Sequence, residues 1–140
     1  MLVMLAVALL AVSSCTKDET NFGESDKMTL VVAEEEMKVF EIPLKDFKKS
    51  DSVLTVLDYL KNAGKLDYEM SGTFVNKVGS LPNVDGGYVY FYTTVQTDID
   101  VSQYATTVEY EGLSIVSSGV GAQEMHLEDG AILYIGMIVW

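Results

Sequence analysis

Ala131-Ile132-Leu133-Tyr134-Ile135-Gly136-Met137-Ile138-Val139-Trp140 is the stretch on which the fold turns. It carries no charge, and its β-branched and aromatic residues favour extended backbone. Apolar side chains stand at successive rather than alternate positions, the pattern of a central strand covered on both faces. Its ten residues are too few to cross a bilayer as a helix, which takes roughly 20, and Gly136 does not favour one. The turn Glu128-Asp129-Gly130 leads into it.

A central strand needs neighbours, and the sequence supplies several. Tyr88-Val89-Tyr90-Phe91-Tyr92 has high β-propensity and follows a loop containing Gly79, Pro82, Asn83, Asp85, Gly86 and Gly87. Side chains alternate along a strand, so Tyr88, Tyr90 and Tyr92 share one face and Val89 and Phe91 the other. Either face suits a core, although three phenol oxygens that want partners more naturally meet a groove or water. Met28 to Val32 and Met37 to Leu44 read as a hairpin whose exposed turn is Glu34-Glu35-Glu36, a solvated run rather than a metal site. Leu66 to Met70 and Thr73 to Val78 read as short strands around Ser71-Gly72, and Val108 to Tyr110 and Leu113 to Val116 as a pair around Glu111-Gly112.

One segment has helical period. Val53, Leu54, Val56, Leu57 and Leu60 form a single apolar stripe, Ser50 or Asp51 caps it, and Gly64 suits the position just past its end. The expected helix is Asp51–Ala63. The predicted fold class is α+β, a mixed sheet with one helix packed across it.

The segment Met1 to Val12 is apolar without a charge, the length of a signal-peptide core rather than a membrane span. Ser13 and Ser14 precede Cys15, which resembles the lipobox of bacterial lipoproteins, whose Cys carries the lipid. The expected organisation is a signal peptide over 1–14, a lipidated Cys15 with a polar tether over 15–27, and one domain over 28–140. No basic residue precedes the apolar run, which predicts a start upstream of Met1. Cys15 is the only Cys, so an internal disulfide is excluded and lipid attachment is the favoured use. The expected location is extracytoplasmic, with the membrane as partner through the lipid on Cys15.

Nine basic residues, all Lys, stand against 21 acidic ones, for a net charge of −12. Nucleic acid is excluded as a partner on that balance, since phosphate contacts require Lys and Arg. An anionic membrane surface would repel the domain itself. His126 is the only His, so neither a metal cluster nor a Cys–His pair is expected, and His126 reads as structural or exposed. Asp98-x-Asp100-x-Ser102 with Glu109 at position twelve has part of a calcium-loop pattern, but position six is Gln103 instead of Gly. No glycine-flanked nucleophile or phosphate loop is present, and no catalytic residue is assigned. The candidate binding residues are Tyr88, Tyr90, Tyr92, Tyr134 and Trp140, whose faces suit a flat or glycan-like ligand. Ordinary sheet packing is the alternative use of the same side chains.

The order of these parts resembles a known family. A helix with Val53-Leu54-xx-Leu57-xx-Leu60 is followed by Gly-Tyr-Val-Tyr-Phe-Tyr at 87–92. Then come Gly119-Val-Gly-Ala-x-x-x-x-Leu127-x-Asp129-Gly130 and the apolar strand. Over roughly residues 37 to 140 the sequence is similar to the domain-of-unknown-function 4430 family, itself similar to the C-terminal domain of transcobalamin and intrinsic factor. The resemblance implies a β-grasp-like sheet with one helix, on lipid-anchored surface proteins, and a corrinoid such as cobalamin as ligand. The sequence departs from the family where Tyr replaces Trp in the aromatic strand and where Gln96 to Gly112 reads as an insertion. Two uses follow: a non-enzymatic module for a small ligand, or an adhesion or assembly domain for a protein or glycan. A concave aromatic pocket would favour the first and a flat exposed patch the second.

Overall fold

The computed structural model describes residues 21–139. The expected leader over 1–14, the attachment residue Cys15, the first part of the tether and Trp140 lie outside the described residues. In chain order the elements are β1 (Lys27–Val32), β2 (Lys38–Pro43), α1 (Val53–Asn62), β3 (Tyr68–Ser71), β4 (Phe74–Val78), β5 (Gly87–Thr93), β6 (Thr107–Tyr110), β7 (Leu113–Ser117) and β8 (Ile132–Val139).

Six strands form one mixed sheet in the order β2-β1-β8-β5-β7-β6, and β3 and β4 pair separately. The uncharged apolar stretch that begins at Ala131 supplies β8, which lies inside the sheet between β1 and β5. It runs parallel to β1, with Thr29 beside Ile132 and Val32 beside Ile135. It runs antiparallel to β5 along the whole of that strand, from Gly87 opposite Val139 to Thr93 opposite Leu133. A first hairpin, a helical crossover and a last strand returning parallel to β1 make the arrangement β-grasp-like, and the fold class is α+β.

The two sheet faces differ. Met28, Leu30 and Val32 of β1, Ile42 of β2 and Leu133 and Ile135 of β8 form one buried cluster with Val53, Val56, Leu57 and Leu60 of α1. Val89 and Phe91 of β5 pack against it, so by alternation the three tyrosines of β5 stand on the face away from the helix. Each buried aliphatic side chain contributes roughly 1.5–3 kcal/mol relative to exposure, and this cluster is the main core. The β3–β4 hairpin joins it through Tyr68 and Val78.

The helix is capped one residue later than Asp51 and two later than Ser50. Its N-cap is Ser52, whose N–H donates to Thr55 Oγ1 at 3.2 Å. Asp51 is engaged elsewhere, accepting from Lys48 N–H at 2.8 Å. The first helical N–H groups find backbone acceptors in a distant loop: Val53 N–H donates to Met125 O at 3.1 Å and Leu54 N–H to Ala122 O at 3.2 Å. The far end closes as a Schellman motif, with Gly64 N–H on Lys61 O, Lys65 N–H on Leu60 O, and Gly64 at φ +71°.

Two other local readings change. From Asn21 onward the expected tether lies against the domain, with Asn21 bridging to Lys48 and Phe22 packed on the core. The acidic run is only partly solvated: Glu35 and Glu36 are exposed, but the side chain of Glu34 is only 9% exposed. Its carboxylate accepts from Ser80 N–H at 2.7 Å and meets Lys38 Nζ at 3.1 Å, tying the first hairpin to the loop after β4.

Candidate binding site on the aromatic strand

Strand β5 carries the candidate site, and its register decides which rings meet. Tyr92 stands opposite Tyr134 of β8, and Tyr90 stands opposite Gly136. Gly136 leaves room that its neighbours fill: a Cβ there would lie 3.2 Å from Tyr134 Cε1 and 3.7 Å from Tyr92 Cε1. The rings then meet edge to face, Tyr90 on Tyr92 at 5.5 Å between centroids and Tyr92 on Tyr134 at 5.9 Å. Edge-to-face pairs of this kind are worth about 0.5–1.5 kcal/mol beyond the area they bury.

A fifth tyrosine, outside the expected set, joins this face. Tyr110 of β6 reaches Tyr134 at 6.1 Å, although β6 lies three positions from β8 in the sheet. At about 4.8 Å per strand, a flat sheet would hold the two some 14 Å apart. The β6–β7 hairpin therefore curls over this face. Curling explains why Tyr92 is 3% and Ile115 1% exposed. Alternation in Val108-Glu109-Tyr110 was a usable signal for Tyr110, but only the strand order shows that it meets Tyr134.

The four described candidates thus share a face but not an environment. Tyr92 is buried in a second, aromatic cluster, and Tyr90 and Tyr134 are half-buried, against the expectation that this face opens to a groove or water. Burial pushes the Tyr92 phenol above its ordinary range, the neighbouring Tyr90 and Tyr134 add to the shift, and the Thr106 hydroxyl opposes it. Tyr88, at the far end of the strand, is 56% exposed. Trp140 lies outside the described residues.

The open space beside β5 is at its edge. The ladder to β7 covers only Tyr92 and Thr93, because the chain leaves the sheet after Ser117, and Ser118 N–H donates to Phe91 O at 2.8 Å. Gly87 to Tyr90 have no strand partner on that side. Two contiguous clefts of about 310 and 430 Å³ run along it. Their walls are Phe74 and Val75 of the β3–β4 hairpin and the loop Ser118–Ala122, and Phe74 is 76% exposed.

No protein-family model and no curated protein matches this sequence.

The remaining chemistry-bearing residues hold structure together. Asp98, 3% exposed, accepts from the backbone N–H of His126 at 2.6 Å and meets His126 Nδ1 at 2.7 Å. Its own carbonyl accepts from Gly119 N–H at 2.8 Å. A carboxylate turned inward to His126 cannot serve a calcium loop with Asp100, whose Oδ1 accepts instead from Ser102 N–H at 2.8 Å. Among the described residues no three His, Cys, Asp or Glu side chains converge as metal ligands. His126 was expected to be structural or exposed, and it is both: its ring is anchored through Nδ1 while 62% of the side chain is exposed.

Proposed function

We propose that this chain is a non-enzymatic, lipid-anchored extracytoplasmic module that engages a protein or glycan partner through strand β5. The observation that supports it most is the placement of Tyr88 and Phe74. Both are exposed aromatics at the stretch of β5 that has no strand on its β7 side. Exposed aromatics beside an open strand edge favour macromolecular contact, where rings supply area at small entropic cost. The anchor rests on the leader-like residues 1–14 and Cys15.

A photo-crosslinking residue placed at Tyr88 of the full chain in its native envelope tests this reading. The comparison position is Tyr59, 40% exposed on the helix. A discrete adduct from Tyr88 but not from Tyr59 supports the assignment. Equal yields at both positions, or none at Tyr88, overturn it.

The resemblance to the transcobalamin-like family favours a second reading, a corrinoid or other small ligand on the same strand. On the tyrosine face, however, Tyr92, Tyr134 and Tyr110 pack against one another. Calorimetric titration of the full chain with cobalamin decides it. Saturable heat that Tyr90→Ala abolishes supports corrinoid capture, and no heat at high micromolar ligand sets it aside.

A further inference from the structure

The open edge of β5 has a definite hydrogen-bonding character. Phe91 O points towards β7, since it accepts from Ser118 N–H. In an antiparallel ladder the N–H and C=O of one residue point the same way, and the direction alternates along the strand. Val89 therefore turns both its backbone groups to the open side, while Tyr88 and Tyr90 turn theirs to β8. Gly87, which shares the direction of Val89, has its N–H taken by Val84 O at 3.2 Å. The slot in front of Val89 is the one β7 would fill if it continued past Ser117.

The charges that border the slot are mainly acidic, although no charged side chain lines either cleft. Lys77, next to Asn76 in the wall, is paired with Glu69 at 3.6 Å. Beyond Lys77 the sequence has eight carboxylates and no Lys or Arg, and three of them, Asp85, Asp100 and Glu124, belong to the segments that border the slot. Asp85 sits just before one end of the slot. At the other end Gly119 packs against the Asp100 backbone, and Glu124 follows the Gly121 turn.

We propose that this edge receives an extended, basic peptide segment of a partner protein, added to the sheet in line with β7. The proposal rests on β5 as the site proposed above, and it names the partner class. Residues of an added strand alternate in direction. One set lies over Phe74 and Val75 on the helix side and is apolar. The other set lies beside Tyr88 and Tyr90, where Lys or Arg gains from the ring faces and, at longer range, from Asp85, Asp100 and Glu124 in the bordering segments. Main-chain pairing supplies affinity and the alternating pockets supply selectivity, the logic of strand addition.

The test uses the full chain and three end-capped octapeptides: alternating Val-Lys, alternating Val-Glu, and Val-Lys carrying N-methyl groups on alternate residues. Amide exchange is read residue by residue. The Val-Lys peptide is expected to slow exchange at Val89 about tenfold when present at roughly ten times its Kd, leaving Tyr88 and Tyr90 unchanged. The N-methylated and Val-Glu peptides are expected to leave Val89 unprotected. Val89→Pro, which removes one outward N–H at a strand edge, is expected to weaken Val-Lys binding. The N-methylated peptide makes the same point with the protein unaltered. Val89 exchange unmoved by millimolar Val-Lys overturns the proposal, as does equal binding of the Val-Glu or N-methylated peptide. If Val89 stays unprotected while crosslinks from Tyr88 persist, strand addition fails and the aromatic-strand site stands. If Tyr88 gives no adduct, that reading fails on its own measurement.

Discussion

Gly79 shows how one missing side chain can organise a neighbourhood. It sits at φ +57°, and a Cβ there would lie 1.8 Å from Glu34 Oε1. The Glu34 carboxylate occupies that space to reach Ser80 N–H and Lys38. Burial opposes its charge, but the Ser80 and Lys38 contacts outweigh it and hold the group below its ordinary value. A carboxylate with a lowered folded pKa contributes stability above its unfolded pKa and loses it as pH falls through the folded one. Gly79→Ala should therefore cost about 2 kcal/mol at neutral pH, from strain and a displaced charged hydrogen bond. It should also flatten the acid limb between about pH 5 and 3. Urea unfolding at several pH values checks both.

Asp98 is the second residue on which much depends. Removing its carboxylate leaves the His126 N–H without an acceptor and frees the loop that supplies carbonyls to the start of α1. Asp98→Ala should cost about 2–3 kcal/mol, whereas His126→Ala, which keeps the backbone bond, should cost less than about 1 kcal/mol. Equal losses in denaturant melts would mean that the ring contact carries the pair.

At the scale of elements, the β3–β4 hairpin is fastened to α1 by a titratable bond. Tyr68 donates its phenol proton to Asp58, and Lys61 Nζ donates to Tyr68 O at 3.0 Å. Burial and the Asp58 carboxylate push the Tyr68 phenol up to about 12 from an ordinary 10.0. A raised phenol contributes stability fully below its unfolded pKa and loses it as pH rises through the folded value. The hairpin contact should weaken between about pH 10 and 12, and Tyr68→Phe should remove that alkaline dependence while lowering stability at neutral pH. Thermal melts across that range, with near-ultraviolet absorbance to follow the phenol, make the measurement.

Elements also show what the sequence made legible. Period alone located α1, and the apolar character of β8 placed it inside the sheet before any partner was known. Gly112 made the β6–β7 turn legible, since a two-residue hairpin demands positive φ; it takes φ +78°, and Glu111 takes +52°, which its residue type does not announce. Alternation alone put Tyr88, Tyr90 and Tyr92 on one face, whereas the β5–β8 register that brings Tyr134 beside them is visible only in the fold. What alternation lacks is strand order and curvature. It could not bring Tyr110 onto Tyr134, bury Tyr92, or leave one edge of β5 open from Gly87 to Tyr90. The Asp98–His126 pair was hidden for a similar reason, since 28 residues separate its members and neither sits in a periodic pattern.

For the whole molecule, the separation of charge along the chain has an energetic consequence. The sequence carries −12 in total, and the portion beyond Lys77 brings its eight carboxylates without any cation. Self-repulsion of this kind destabilises the compact state and is screened by salt, with a Debye length near 10 Å at 0.1 M. The full chain should melt several degrees higher at about 0.15 M salt than at 0.01 M. A melting temperature that falls with salt would show that ion pairs such as Lys27–Glu41 at 2.6 Å outweigh the repulsion.

The parallel pairing of β1 with β8 also sets how the domain bears load. Lys27 opens β1 at one end of the sheet, and Val139 closes β8 at the other. A chain tethered ahead of β1 and pulled from beyond β8 would slide these strands along each other, so their shared hydrogen bonds resist together rather than parting one at a time. The β6–β7 hairpin, antiparallel and joined by a two-residue turn, would instead unzip from its open end. A domain loaded between the start of its first strand and the end of its last resists most when those two strands lie side by side in this way.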